Sequence, residues 1–330
     1  MILFLLLFSA SLSAQNRATL DSVKLIVQEQ KLHDTIISDS YSYLLRYYRR
    51  NNVDSCLVYL QKLKVYADEN NSNLGNYEYY RLKAGYFGLF PEQNEDKYAF
   101  INGNLLKALE YAKKTNYTKL VFYTYSRLGQ ENARMGKKDK ALEYAKAAEK
   151  IAIAENYKLE SARIYAQLGE LYNLGFNKTE IALQYLLKSD SIYQAHDIKG
   201  ENRGSVLSYI GDVYSAFGDV DEARAYQEQA LEIFVKTGNI YKQKFISTKL
   251  GSIELLDKNY TKAINYLSDC VAYYRDNKYY LNEAHCQVLL SEAYLESGQI
   301  ENALSAGQTA IELNEKNIGK NYSLHISCSF

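Results

Sequence analysis

The sequence predicts an all-α protein, a right-handed superhelical solenoid of antiparallel helix pairs, and three observations predict it. Pairs of a large apolar residue followed by a small one recur in register: the small members of Leu128-Gly129, Leu168-Gly169, Ile210-Gly211, Leu250-Gly251 and Leu290-Ser291 are separated by 40, 42, 40 and 40 residues. Breakers are scarce, with a single proline (Pro91) and no linker rich in Pro, Gly and Ser. Hydrophobic residues make up 47% and charged residues 24%, as in an ordinary globular chain, yet its 330 residues exceed the roughly 250 to 300 that one hydrophobic core fills. An array of helical hairpins, each packed on the next, reconciles these facts.

Further columns keep the same register. An alanine follows twelve or thirteen residues after each small residue (Ala141, Ala182, Ala223, Ala263, Ala303). Seven residues beyond stands a second small one (Ala148, Ser189, Ala230, Cys270, Ala310), and three further a large apolar one (Ile151, Ile192, Ile233, Tyr273, Leu313). Antiparallel helices approach to about 8 to 10 Å only where side chains are small, so the glycine of the first helix and the alanine of the second mark the close contact of each hairpin. Gly136, Gly175, Gly218, Asn259 and Gly298 follow the first helices and are expected to take the positive φ of a helix C-cap. Asp139, Thr179 and Asp219 are the expected N-caps of second helices. The 33 tyrosines suit half-buried helix positions, with an apolar ring inside and a polar tip at the edge.

These columns resemble the tetratricopeptide repeat, whose pattern places Leu-Gly on the first helix, a tyrosine three residues after the glycine, and alanine twice on the second helix. Tyr172, Tyr214 and Tyr294 fill the tyrosine column; Asn132 and Glu254 depart from it. Tyr125 and Tyr165 stand where the family carries tryptophan, and the proline after the second helix is absent. The period is about 40 rather than the family's roughly 34, so longer helices or turns are expected, and an armadillo-like or HEAT-like solenoid is the alternative.

In chain order, residues 1–14 (MILFLLLFSASLSA) form a short apolar run ending in small residues, expected to be a signal peptide that sends the chain to the periplasm. Residues 15–117 read as degenerate N-terminal hairpins. A leading helix near 18–30 precedes a hairpin that turns at Arg50 to Asp54, and a second hairpin runs from Asn76 to Thr115 with Pro91 between its helices. Residues 118–317 carry five tetratricopeptide-like repeats, making about seven hairpins in all. Residues 318–330 align with the first helix of a further repeat, expected to be truncated.

Lys plus Arg equals Asp plus Glu at 39 each, which argues against nucleic acid as a partner. No HExxH, GxGxxG, P-loop or GxSxG motif occurs, and the four histidines and four cysteines lack metal-ligand spacing, so no enzyme, cofactor or metal is expected. Cys270 and Cys286 fall on adjacent helices that should pack, leaving both a plain core contact and a disulfide open. In tetratricopeptide arrays the first helices line a concave groove. The resemblance projects Tyr123, Gln130, Arg134, Arg163, Glu170, Asn173, Asp212, His285 and Glu292 onto it, with Arg134 and Arg163 together gripping a carboxylate. The expected function is an exported scaffold that binds a protein or peptide. The alternative is the sensory input region of a truncated signal-transduction protein, by resemblance to the exported tetratricopeptide regions of bacterial sensor kinases and helix-turn-helix regulators.

Overall fold

The structure, a computed structural model, describes residues 19–86, 96–198 and 200–318. The expected signal peptide at 1–14 and all but Ile318 of the expected partial helix at 318–330 lie outside these residues. The described residues are helical, without strands. Helix α1 covers 19–29, and α2 (Asp34–Asn51), α3 (Val53–Glu69), α4 (Asn73–Gly85) and α5 (Lys97–Lys114) form the two upstream hairpins. Five further hairpins follow: α6 (Thr118–Arg134) with α7 (Lys138–Ala154), α8 (Lys158–Glu170) with α9 (Thr179–Ala195), α10 (Glu201–Phe217) with α11 (Val220–Lys236), α12 (Ile240–Leu256) with α13 (Tyr260–Asp276), and α14 (Tyr280–Glu296) with α15 (Ile300–Ile318). Among the described residues no helix is long and apolar enough to cross a membrane. The chain divides into two compact units, Met1–Ile151 and Ala152–Phe330.

The second unit shows where the 40-residue period comes from. Helices α12, α13, α14 and α15 begin at Ile240, Tyr260, Tyr280 and Ile300, so one 17-residue helix and a three-residue connector repeat. The connectors share one hydrogen-bond pattern. The amide of Asn259 reaches back to Glu254 O (2.8 Å) and that of Lys258 to Leu255 O (3.0 Å), and the same pair recurs at Asn239, Tyr279 and Gln299. This motif satisfies two carbonyls left unpaired at the helix end and requires a left-handed residue just before the next N-cap. The period is therefore lengthened by the helices.

Left-handed backbone occurs at Gly136, Gly218 and Gly298 as the sequence suggests, but at Asn177 (φ 52°) and Lys258 (φ 59°) instead of Gly175 and Asn259. The position is set by helix length, and Asn259 is itself the N-cap of α13. Asp219 stands at the N-cap position of α11 but its side chain makes no cap hydrogen bond, and Asp139 and Thr179 lie inside the first turns of α7 and α9.

Gly175 belongs to a π-helical turn, Leu171–Gly175, which continues α8. Gly169 and Ala182 are 13 residues apart where the other repeats have 12, and a π turn absorbs one inserted residue without breaking the helix. The small residues do the packing that their columns imply. A Cβ added to Gly169 would stand 2.6 Å from Leu186 Cγ, one at Gly211 3.1 Å from Ala223 O, and one at Gly251 2.8 Å from Leu267 Cγ. Ala182, Ala223 and Ala263 are wholly buried.

Two members of the tyrosine column pair across their hairpins: Tyr172 stacks on Tyr185 (centroids 5.6 Å) and Tyr214 on Tyr226 (5.4 Å). Its two exceptions carry polar contacts instead. Asn132 Nδ2 donates to Asn102 Oδ1 (2.9 Å) and Leu128 O (2.8 Å). Buried Glu254 accepts from Arg224 Nε (2.9 Å), whose other nitrogens reach Asp221 and Asp257.

Candidate functional site

Positions six before, two before and one after the column glycine are i, i+4 and i+7 of a first helix and share one face. In the second unit that face holds a polar ladder running over three helices. At its start, Tyr209 of α10 donates its hydroxyl to Glu170, the last residue of α8. Burial, and then the Glu170 charge, push the Tyr209 hydroxyl well above the usual phenol range, so it stays protonated as a donor. One turn along α10, Asp212 accepts from Lys249 Nζ of α12 (2.5 Å) and from Gln227 Nε2 of α11 (3.0 Å). Lys249 also donates to Ser208 Oγ (3.0 Å) and lies over the Phe245 ring, 4.9 Å from its centroid.

Lys242 completes the set. It is half-buried in the first turn of α12, its Nζ 5.5 Å from the Phe245 centroid. Burial first, and then the neighbouring Lys249 charge, lower its pKa; Glu201 and Glu170 partly offset this from a distance. Among the described residues it has no ion pair. The face thus presents a half-buried cation, an aromatic ring flanked by two ammonium groups and a paired acid-base ladder, which can fix the backbone and an acidic group of an extended chain.

The nine residues projected from the sequence fall in two separate units. Tyr123, Gln130 and Arg134 stand exposed on α6 in the first unit, where Arg134 pairs with the buried Glu131 (2.8 Å). The other six are in the second unit. Glu170 and Asp212 join the ladder through Tyr209 and Lys249. Asn173 sits in the π turn immediately after Glu170, half-buried. Arg163 is exposed and hydrogen-bonds the buried Tyr193 hydroxyl. His285 and Glu292 are exposed on α14 and take no part in the ladder. Arg134 and Arg163, read from the sequence as a joint carboxylate grip, each have a partner inside their own unit.

Sequence reasoning missed Tyr209, Lys249 and Lys242. The first two occupy the position two before the glycine, between the two columns that were projected, so completing the i, i+4, i+7 stripe finds them. Nothing in the sequence marks Lys242, whose interest comes from its burial.

Residues 245–316 and 204–237 each match a tetratricopeptide repeat family. A response regulator aspartate phosphatase E from Bacillus subtilis (strain 168) is 26% identical over 206 residues, 61% of this chain and 53% of the relative. The chain thus spans about half the length of that curated relative. Among solved structures, the apo form of RapI superposes with a TM-score of 0.66 at 15% identity, covering 86% of this chain and 99% of RapI. A Rap protein complexed with Competence and Sporulation Factor gives 0.60 at 15% identity, covering 84% and 77%. At such identities the likeness concerns the fold.

Proposed function

Because this chain is a tetratricopeptide-repeat protein, we propose that it works as a binding scaffold, and that the first-helix face of the second unit holds an extended peptide or protein segment carrying an acidic group. The observation that carries this reading is Lys242, a half-buried ammonium without an ion pair among the described residues, beside a ladder in which Lys249 and Asp212 are paired. Desolvating an ammonium is costly, and an incoming carboxylate recovers that cost through a charge-assisted hydrogen bond. The Rap protein solved with Competence and Sporulation Factor supports the reading at the level of fold. Fluorescence anisotropy against a library of short peptides tests it. Acidic sequences bind, and Lys242→Ala weakens them about tenfold or more, in line with 1.5 to 3 kcal/mol for a charged hydrogen bond. Absence of binding by any peptide overturns the scaffold reading at this face.

A second reading rests on the relative's name, which is that of a phosphatase. In it the scaffold holds a phosphorylated response-regulator domain and hydrolyses its aspartyl phosphate, and loss of label from such a domain on mixing with this protein supports that reading. Export remains part of our proposal, supported by the apolar run at 1–14. Cell fractionation that leaves the chain in the cytoplasm removes it, and with it the proposal that the array is an exported sensory input region.

A further inference from the structure

One helical turn of α12 draws two thiols together. Thr248 Oγ1 donates to Lys244 O (3.0 Å), and Cys270 Sγ of α13 donates to the same carbonyl (3.3 Å). Cys286 Sγ of α14 lies 3.3 Å from Thr248 Oγ1. Both cysteines are free, wholly buried and members of one core cluster. The Tyr274 hydroxyl is buried in the same cluster with no hydrogen-bond partner. Cys56, by comparison, is alone in the first unit, with only Leu45 O to bond.

Packing does not demand sulfur at either place. The column of Cys270 holds Ala148, Ser189, Ala230 and Ala310 in other repeats, and the position of Cys286, five before the column residue, holds Thr124, Ile164, Val206 and Ile246. Two core positions that elsewhere carry hydrocarbon or a hydroxyl carry thiols here, on neighbouring helices, at one turn of a third. We propose that Cys270 and Cys286 are a redox pair that closes to an intrachain disulfide when the protein meets a peroxide.

The chemistry balances within the site. Cys270 loses its proton and its sulfur attacks one peroxide oxygen; the O–O bond breaks, hydroxide leaves and takes that proton as water, and Cys270 becomes a sulfenic acid. Cys286 sulfur then attacks Cys270 sulfur, the S–O bond breaks, and a second water departs with the Cys286 proton. Two thiols are oxidised by two electrons and one peroxide is reduced to two waters. The neighbouring Cys286 thiol lowers the Cys270 thiol pKa, while the neighbouring Cys270 thiol together with burial raises that of Cys286, so Cys270 attacks and Cys286 resolves. Tyr274 supplies a donor for the sulfenate oxygen, and local opening of α14 against α13 admits the oxidant.

The test uses the full reduced chain treated with hydrogen peroxide, blocked at remaining thiols, digested and mapped by mass. The expected result is a peptide containing Cys270 linked to one containing Cys286, reversed by dithiothreitol. Cys270→Ala and Cys286→Val install residues that other repeats already use, and circular dichroism is expected to show both folded. Each variant should abolish the link, and Cys286→Val should leave a Cys270 sulfenic acid that dimedone traps. The proposal is overturned if both thiols of the oxidised wild type are blocked in full on unfolding, or if Cys270 links to Cys56 or to another chain.

Discussion

Between α2 and α3 the core is made by large side chains, Leu44, Leu45, Leu60 and Leu63, all buried, with Tyr41 and Tyr66 beside them. Between α12 and α13 the contact is a glycine under a leucine, Gly251 under Leu267, with Ala263 wholly buried at the same crossing. The polar groups differ as well. In the first unit Asp34 gathers the hydroxyls of Tyr66 (2.8 Å) and Ser72 (2.8 Å), and Glu78 takes Ser42 (2.8 Å) and Arg81 (2.5 Å). These bonds tie α2, α3 and α4 together, and the one from Ser72 to Asp34 has a counterpart in the second unit, from Asn239 to Glu201 (3.0 Å). In the second unit the tie is a column that returns with each hairpin. A close crossing of small residues fixes helix position by shape and can be repeated; a set of individual hydrogen bonds fixes it once.

The two ways of packing fail differently. In the first unit the most damaging change is loss of volume: Leu44→Ala is expected to cost about 3 kcal/mol, because a wholly buried leucine leaves a cavity among large neighbours that cannot collapse. In the second unit the damaging change is gain of volume. Ala223→Leu is expected to cost about 2 kcal/mol by overpacking the crossing under Gly211, whereas Ala225→Leu, at an exposed position two residues on, stays within about 0.5 kcal/mol. Urea titrations of the three variants measure this order. Equal midpoints for the two alanine variants would show that the column register is misplaced.

That register is also the measure of what the sequence discloses. From Thr118 onward the helix pairs, their close contacts and their short connectors follow from small residues at fixed spacing. Even the extra residue between Gly169 and Ala182 is visible, although the π turn that absorbs it is not. Upstream, hairpins can be recognised from Asn52 and from the alternation of apolar stretches, but the bonds of Asp34 and Glu78 depend on side chains 32 to 38 residues away, with no period to announce them. The candidate site divides the same way. Glu170 and Asp212 lie in projected columns, while Lys242 matters because α12 sits where its ammonium is desolvated, which is a tertiary fact.

Alkaline pH sharpens the comparison at a single group. Tyr77, buried in α4, has a hydroxyl pushed up by burial, and then by the Glu78 charge, to about 12 from its ordinary 10.0. The folded chain holds this proton more tightly than the unfolded chain. Its contribution is therefore complete below pH 10.0 and is lost as pH rises from there through about 12. Tyr77→Phe is expected to lower stability at pH 7 by about 1 kcal/mol through loss of the hydroxyl's hydrogen bond to Thr124. It should also flatten the loss of stability above pH 10.0, read by urea midpoints across that range. An unchanged alkaline slope would assign the dependence to other tyrosines.

The finest test exploits the last hairpin, where the small and large partners are exchanged. In α12 and α13 the glycine is on the first helix and Leu267 on the second; in α14 and α15 the corresponding residues are Ser291 and Gly307. Ser291 Oγ donates to Ala303 O (2.8 Å), and a Cβ added to Gly307 would stand 3.3 Å from Ser291 Oγ. Gly307→Leu alone is expected to cost about 1 kcal/mol, overpacking against Ser291 being partly offset by the better helix propensity of leucine. Ser291→Gly alone should cost a similar amount, through the lost hydrogen bond and the flexibility of glycine in a helix. Together the two changes rebuild the arrangement of Gly251 and Leu267, so the pair should cost less than the sum of its parts by about 1 kcal/mol. A double-mutant cycle in urea measures that coupling. Strict additivity would mean that the crossing in this hairpin does not follow the rule that packs the three before it, and that Ser291 is held in place by its hydrogen bond alone.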